Sequence, residues 1–237
     1  MDAGVIAQDL GLIAAVGGVA AVDRRGAFQV MLSQPLVVVP ALGVLLGDPV
    51  TALWLGSLLQ LLWMSSVMHG ANVPPNETVA AVAIGGAVLL FGKYVHPTDA
   101  TIWTVAILLG APLSQVGRWL EIRLDRANQQ LSDLADEAAR ANEPAGLERL
   151  PWLGLGRTFV LNAGLAVVAT SLGLGLLMLL DPAIGGALAV ALDTVGRYML
   201  PALGLAVALS VLRRRRALVL AGVSFLLVMT AILQGRT

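Results

Sequence analysis

The chain has no cysteine, only two histidines and few charged residues, and each shortage excludes a class of function. Without cysteine there is neither a disulfide nor a thiolate metal site. His69 and His96 are too few and too far apart to form a metal site alone. The formal net charge is zero, which argues against nucleic acid as a partner. No Ser-His-Asp set or phosphate-cradling loop is present, so we expect no catalytic residue and no cofactor.

What the chain has in excess is apolar sequence. Hydrophobic residues make up 57% of its 237 residues and charged residues 13%, whereas soluble domains have about 45–50% and about 25%. The mean hydropathy is +0.83. We therefore expect an all-α, polytopic membrane protein in contact with a lipid bilayer. The apolar runs predict helices near 4–22, 79–92, 100–117, 158–180, 198–212 and 217–235.

Residues 28–72 do not fit a plain membrane anchor. Proline, glycine, amide and charged residues interrupt them, and Gly47-Asp48-Pro49 is a strong turn signal. We expect two broken, re-entrant segments at 30–46 and 50–69. Interrupted helices of this kind often form substrate sites in transporters, because irregular backbone at membrane depth must line a cavity or be buried in protein.

One stretch, residues 118–150, is strongly polar. Leucines recur at helical spacing between interleaved acids and arginines (Leu120, Leu124, Leu131 and Leu134), and Glu143-Pro144-Ala145-Gly146 closes the run. This pattern predicts an amphipathic helical arm. The arm is either a solvated connecting helix or a docking surface for a partner subunit or a phosphocarrier.

Composition divides the chain into three portions, and charge orients them. A membrane portion with interrupted helices (1–117) precedes the arm (118–150) and C-terminal membrane helices (151–237). Most of the 15 basic residues share one side if Arg24, Arg25, the arm and the Arg213–Arg216 run lie together. Since Lys and Arg concentrate in cytoplasmic loops, we expect that side to be cytoplasmic and both termini to be outside.

Several planar polar side chains in the interrupted region suit the binding of a sugar. Asp, Glu, Asn and Gln each offer two polar atoms in one plane for adjacent hydroxyl groups. The candidates are Asp23, Gln29, Gln34, Gln60, His69, Asn72, Asn76 and Glu77, with Trp54 and Trp63 as rings for the apolar face of a sugar.

Each of these candidates also has a structural interpretation. Gln60 lies in an apolar run, where its amide either contacts substrate or forms an interhelical hydrogen bond. Asp23 could end a helix against Arg24 or Arg25. Asn76 and Glu77 follow two prolines, so N-capping and the helix dipole explain them as well as a binding site does. His69, beside Gly70, could report pH, contact a sugar or be structural.

The order of motifs in residues 23–75 resembles a known family. Asp23–Leu36 reads DRRGAFQVMLSQPL, Gly43–Asp48 reads GVLLGD, and Gly70–Pro75 reads GANVPP. This order is similar to that of the IIC membrane subunit of the mannose/fructose/sorbose family of the bacterial sugar phosphotransferase system. The likeness is strongest over residues 10–90. It departs from many relatives at Gln60, where they have glutamate, and at Asn76, where they have aspartate.

The resemblance implies a permease subunit in the bacterial cytoplasmic membrane. Such a subunit pairs with a second membrane subunit, IID, binds a hexose and moves it inward. Whether IIC–IID units assemble into a homo-oligomer is left open. The phosphohistidine of IIB, which IIA supplies, then phosphorylates the sugar, so this chain would need no nucleophile of its own. Two other functions stay open: an independent secondary transporter or channel, and a degenerate, non-transporting scaffold or sensor.

Overall fold

The computed structural model describes residues 3–66 and 73–212, together with Val219 and Val223. In these residues the chain is helical and contains no strand. Its elements are α1 (Ala3–Arg25), α2 (Pro35–Leu46), α3 (Pro49–Leu62), α4 (Glu77–Tyr94), α5 (Ala100–Gly110), α6 (Leu113–Arg140), α7 (Pro144–Leu180), a 3₁₀ turn (Asp181–Ala183), α8 (Gly186–Thr194), a π-helical turn (Val195–Met199) and α9 (Leu200–Leu212).

The described residues contain five stretches long and apolar enough to cross a membrane. They are Gly4–Arg25, Glu77–Tyr94, Ala100–Arg140, Pro144–Ala183 and Gly186–Val211. The prediction of a polytopic all-α membrane protein is therefore confirmed. The predicted helix at 217–235 lies outside the described residues, apart from Val219 and Val223.

Three helix boundaries differ from the prediction. The helix expected at 100–117 is divided at Ala111–Pro112, because proline favours a break in helical hydrogen bonding. The helix expected at 158–180 begins already at Pro144, and the one expected at 198–212 continues a helical path from Gly186. Apolar sequence marks the membrane-spanning part of a helix, whereas the helix itself continues into polar sequence.

Helix α4 is the centre of the fold. Every residue from Glu77 to Phe91 is buried, so neighbours surround this helix on all sides. Small residues make this packing possible: a Cβ atom on Gly85 would lie 2.9 Å from Val39 of α2, and one on Gly86 would lie 2.8 Å from Thr170 of α7. The Ala- and Gly-rich sequence of α4 thus lets α2 and α7 approach its backbone closely.

Helices α2 and α3 form a hairpin that enters from one end of the bundle and returns to it. Their 12 and 14 residues extend about 18 and 21 Å, less than the roughly 30 Å of a bilayer core. An ion pair joins Arg24 to Glu77 where α1 ends and α4 begins, and another joins Asp9 to Lys93 at the opposite ends of these helices. Residues 26–76 therefore begin and end at the same end of the bundle, as expected for a re-entrant pair.

Local sequence forms the hairpin turn at its tip. Gly47 ends α2 with φ of 96°, a left-handed conformation that glycine adopts at little cost. The Asp48 side chain then accepts a hydrogen bond from the Thr51 backbone N–H and caps α3. The two helices pack so closely that a Cβ on Gly56 would lie 2.8 Å from the Pro35 carbonyl oxygen. The turn predicted at Gly47-Asp48-Pro49 is confirmed.

The polar arm is one branch of a second helical hairpin, formed by α6 and the first turns of α7. Leu124 and Leu131 are buried, whereas Leu134 is exposed. Helix α6 ends at Arg140, and Glu143 and Pro144, which we expected to close the arm, begin α7 instead. The predicted boundaries of the arm at residues 117 and 150 both lie inside helices, so the helix ends do not mark them. They describe which part of the chain leaves the membrane, and this division stays a prediction.

Candidate functional site

Arg24 is the centre of a buried ion network between three helices. Its side chain is only 4% exposed, and its guanidinium group forms ion pairs with Glu77 of α4 and with Glu121 of α6. The Nε–Oε1 distance to Glu121 is 3.0 Å. Weaker hydrogen bonds, each 3.4 Å long, reach the Thr78 hydroxyl and the Pro75 carbonyl. One cation thus faces two carboxylates that are themselves nearly inaccessible.

Asn76 links this network to the start of α4. Its Oδ1 accepts a hydrogen bond from the Val79 backbone N–H at 3.0 Å, which is the expected N-cap geometry. Its Nδ2 donates to Glu121 Oε1 at 2.9 Å. Capping therefore uses one atom of the amide, and the other atom orients Glu121 against Arg24.

Asp23 holds the loop between α1 and α2 in place. Its two carboxylate oxygens accept hydrogen bonds from the backbone N–H groups of Val30 and Ser33, at 2.8 and 3.1 Å. Neither neighbouring arginine pairs with it, because Arg24 binds Glu77 and Glu121, and Arg25 binds Asp125. The Ser33 carbonyl accepts in turn from the Thr78 hydroxyl at 2.8 Å, so this loop is tied to α4.

Gln60 and Gln34 form an amide pair beside this loop. Gln60 Nε2 donates to Gln34 Oε1 at 2.9 Å, and Gln60 Oε1 accepts from the Leu36 backbone N–H at 3.3 Å. The interhelical hydrogen bond that we weighed as a structural interpretation of Gln60 is therefore present. In the part of the chain that the structure describes, no hydrogen-bond partner faces the amide nitrogen of Gln34, which stays available to a ligand.

These groups surround one polar cavity, which we call the hairpin pocket. Its volume is about 250 Å³, and it is lined by Arg24, Ser33, Gln34, Gln60, Trp63, Met64, Ser66 and Glu77. Typical ligand pockets hold about 300–1,000 Å³, so the space suits a small ligand. Glu77, which lines the pocket, carries a buried Oε2 that has no partner among the described residues.

The pocket unites some of the predicted residues and leaves others apart. Gln34, Gln60, Trp63 and Glu77 line it, while Asp23 and Asn76 support the backbone and the ion network beside it. Gln29 is exposed in the loop, and Trp54 is 69% exposed on the outer face of α3. Two further candidates, His69 and Asn72, lie outside the described residues.

Arg24 and Glu121 are the participants that sequence reasoning missed. The sequence suggested Arg24 only as a possible partner of Asp23, and Glu121 only as one of the acids of the polar arm. A signal was available, since Glu77 lies at the start of an apolar helix and a carboxylate there needs a cationic partner. Arg24 and Arg25 are the only lysine or arginine residues that precede Glu77 in the sequence, so one of them was a candidate partner.

Comparison with known proteins identifies the family. The family described as PTS system sorbose-specific IIC component matches residues 8–234. The chain belongs to this family. No curated protein is similar enough to count as a match. This match covers almost the whole chain and includes residues 23–75, whose motifs resembled the IIC family. The chain is therefore a membrane subunit of the mannose-type phosphotransferase systems.

Solved structures share the fold of this IIC chain. One, described only as a membrane protein, has 20% sequence identity and a TM-score of 0.71, with 96% of this chain and 92% of the other covered. A second belongs to a cryo-EM structure of the mannose transporter ManYZ in complex with microcin E492. It has 21% identity and a TM-score of 0.62, and the match covers 93% of this chain and 85% of that one. These similarities concern the arrangement of helices.

Proposed function

We propose that this IIC chain binds a hexose in the hairpin pocket and moves it inward across the bacterial cytoplasmic membrane. The observation that carries the proposal is the convergence of Gln34, Gln60 and the unpartnered Glu77 Oε2 on one cavity. Adjacent sugar hydroxyls both donate and accept hydrogen bonds, and planar amides and carboxylates match them in pairs. Trp63 offers an aromatic surface to the apolar face of the ring.

The burial of Glu77 supports a binding role for the pocket over a purely structural one. A buried acceptor without a partner costs about 1–3 kcal/mol, and Glu77 Oε2 is such an acceptor. A sugar hydroxyl would remove this cost. The same argument disfavours an apolar substrate, which would leave the acceptor unpartnered and also desolvate the Gln34 amide.

The chemical step belongs to other subunits in this proposal. The sugar hydroxyl would attack a phosphohistidine of IIB, so that the N–P bond breaks and an O–P bond forms on the sugar. This chain would supply binding and gating with a IID membrane subunit as its partner. The exposed apolar side chains of the α2–α3 hairpin, including Val44, Val50 and Trp54, support contact with lipid or with such a subunit.

We further propose that the arm, residues 118–150, lies in the cytoplasm. Arg24, Arg25 and the start of the arm occur at one end of the bundle, joined by the Arg24–Glu121 and Arg25–Asp125 pairs. That basic clustering supports a cytoplasmic position for this end by the positive-inside rule. An arm on that side would face IIA and IIB.

Sugar binding to membranes that contain the full chain and its partner subunits tests the proposal. The probes are radiolabelled mannose, fructose and sorbose, and the variant is Gln60→Ala. Loss of the amide removes the hydrogen bonds that position Gln34 and the Leu36 backbone at the pocket, together with a polar group of its lining, so we expect affinity to fall at least about fivefold. Ser57→Ala is the matched control, since Ser57 lies one turn earlier on α3 and, among the described residues, its hydroxyl donates only to the Leu53 carbonyl.

Two results would contradict the proposal. Equal affinity in the wild type and Gln60→Ala would show that the hairpin pocket does not bind the sugar. Absence of binding for all three sugars, with an intact complex of membrane subunits, would favour a chain that has kept the fold and lost transport.

A further inference from the structure

A second cavity, which we call the arm cavity, lies between the end of α1, the arm helix α6 and the first half of α7. Its volume is about 360 Å³. Its polar lining comes from Arg25, Glu121, Asp125, Asn128, Thr158 and Asn162, and leucine, alanine and proline side chains complete the wall. It shares no lining residue with the hairpin pocket.

The arm cavity contains an unusual surplus of hydrogen-bond acceptors. Glu121 Oε2, Asn128 Oδ1 and Asn162 Oδ1 are all buried and have no partner among the described residues. Glu121 is 6% exposed and Asn162 is 3% exposed. The orientation of the Asn162 amide is fixed, because its Nδ2 donates to the Thr158 carbonyl at 2.9 Å, which leaves Oδ1 as the free atom. Such groups are normally satisfied in folded proteins, and the three residues that carry these atoms line one cavity, which favours a ligand with hydrogen-bond donors there.

The Arg24 network lies between the two cavities. Its guanidinium group binds Glu77, whose carboxylate lines the hairpin pocket, and Glu121, whose carboxylate lines the arm cavity. Asn76 holds the same Glu121 oxygen from the α4 side. Arg24 therefore links a lining residue of the hairpin pocket to a lining residue of the arm cavity.

We propose that the arm cavity is a second sugar site, which receives the hexose after it passes the Arg24 network. This inference rests on the function proposed above and adds to it a binding position on the arm side. A neutral polyol fits because Glu121, Asn128 and Asn162, each with an unpartnered acceptor among the described residues, line the cavity, while Leu124 and Leu155 offer it an apolar wall. The net excess of carboxylates around Arg24 and Arg25 makes an anionic ligand, such as a sugar phosphate, a poor fit.

The absence of native cysteine allows a direct test. In Leu155→Cys the only thiol of the chain faces the arm cavity and every acceptor is kept. We expect mannose, fructose or sorbose, whichever binds the wild-type complex, to protect this thiol from a small methanethiosulfonate reagent. Gln129→Cys is the control, since Gln129 is exposed on α6 outside the cavity and its labelling should not change with sugar.

A transport measurement complements the protection experiment. Asn162→Leu removes one acceptor from a residue that lines the arm cavity and keeps the number of side-chain heavy atoms, so we expect uptake of the bound sugar to slow roughly two- to tenfold. Thr170→Val is the control on the same helix, since Thr170 is also buried with an unpartnered hydroxyl but lines neither cavity. Its uptake should match the wild type.

The outcomes separate this inference from the proposed function. Sugar that binds the wild-type complex without protecting the thiol of Leu155→Cys would show that it does not enter the arm cavity, and would overturn the inference while the hairpin pocket stands. If Leu155→Cys fails to fold, Thr158→Cys serves the same purpose. Absence of all sugar binding would overturn both the inference and the proposed function.

Discussion

Replacement of Arg24 should destabilise the protein far more than replacement of its neighbour Arg25. Arg24 is 4% exposed and compensates Glu77 and Glu121, which are 8% and 7% exposed at their side chains. Removal of one partner of a buried ion pair costs about 3–5 kcal/mol, because the remaining charge stays buried. Arg25 and Asp125 are 31% and 50% exposed, and such pairs contribute at most about 1 kcal/mol.

Thermal unfolding of the detergent-solubilised protein measures this difference. For a chain of this size about 1 kcal/mol shifts Tm by about 2–4 °C, so Arg24→Met should lower Tm by about 6–20 °C and Arg25→Met by less than about 4 °C. Arg24→Met combined with Glu77→Gln and Glu121→Gln should regain most of the loss, because no buried charge is left without a partner. Equal losses for the two arginines, or no recovery in the triple variant, would refute the reasoning.

Three further predictions concern the hairpin, the opposite end of the bundle and the orientation. Gly56→Ala should destabilise the protein by about 1–3 kcal/mol, because its Cβ would meet the Pro35 carbonyl oxygen at 2.8 Å, whereas Gly175→Ala on α7, with open space around it, should not. The pKa of His96 is raised above its ordinary 6.5 by hydrogen bonds to the Pro97 carbonyl and the Asp181 carboxylate. The stability that this pairing contributes is therefore present below pH 6.5 and lost as the pH rises through the raised value, so His96→Gln should lower Tm at pH 5.5 and leave it unchanged at pH 8.5. A periplasmic reporter fused at Thr237 should be active, and a cytoplasmic one silent.

Each of these predictions has a clear contrary result. An equal effect of the two glycine substitutions on thermal unfolding would show that α2 and α3 are not in close contact at Gly56. A His96→Gln effect on Tm that grows with pH would contradict a histidine stabilised in its charged form. An active cytoplasmic reporter at Thr237 would reverse the orientation and place the arm outside.

Local signals allowed the re-entrant hairpin to be predicted from sequence. Gly47, Asp48 and Pro49 each act within one turn of the chain, through a left-handed C-cap, a side-chain N-cap and a fixed φ. Asn76 was predictable as an N-cap for the same reason. Helix α4 was identified as apolar, but its position at the centre depends on which helices contact Gly85 and Gly86, and no local pattern encodes that.

The candidate site could be predicted only in part, because its charges come from distant positions. Gln60 and Glu77 were conspicuous as polar residues in apolar surroundings. Arg24 and Glu121 are 97 positions apart, and each looked ordinary in its own segment. Their pairing follows from the return of residues 26–76 to the same end of the bundle and from the continuation of α6 beyond the membrane portion, which are properties of the tertiary fold.

The central claim, that this IIC chain moves a hexose toward phosphorylation, is tested most directly by phosphoenolpyruvate-dependent phosphorylation of mannose, fructose and sorbose. The assay uses membranes that contain the chain with its IID, IIA and IIB partners, and Gln60→Ala and Ser57→Ala as variant and control. We predict phosphorylation of at least one sugar that requires this chain, falls in Gln60→Ala and persists in Ser57→Ala. No phosphorylation of any sugar by an intact membrane complex, or full activity without this chain, would contradict the account.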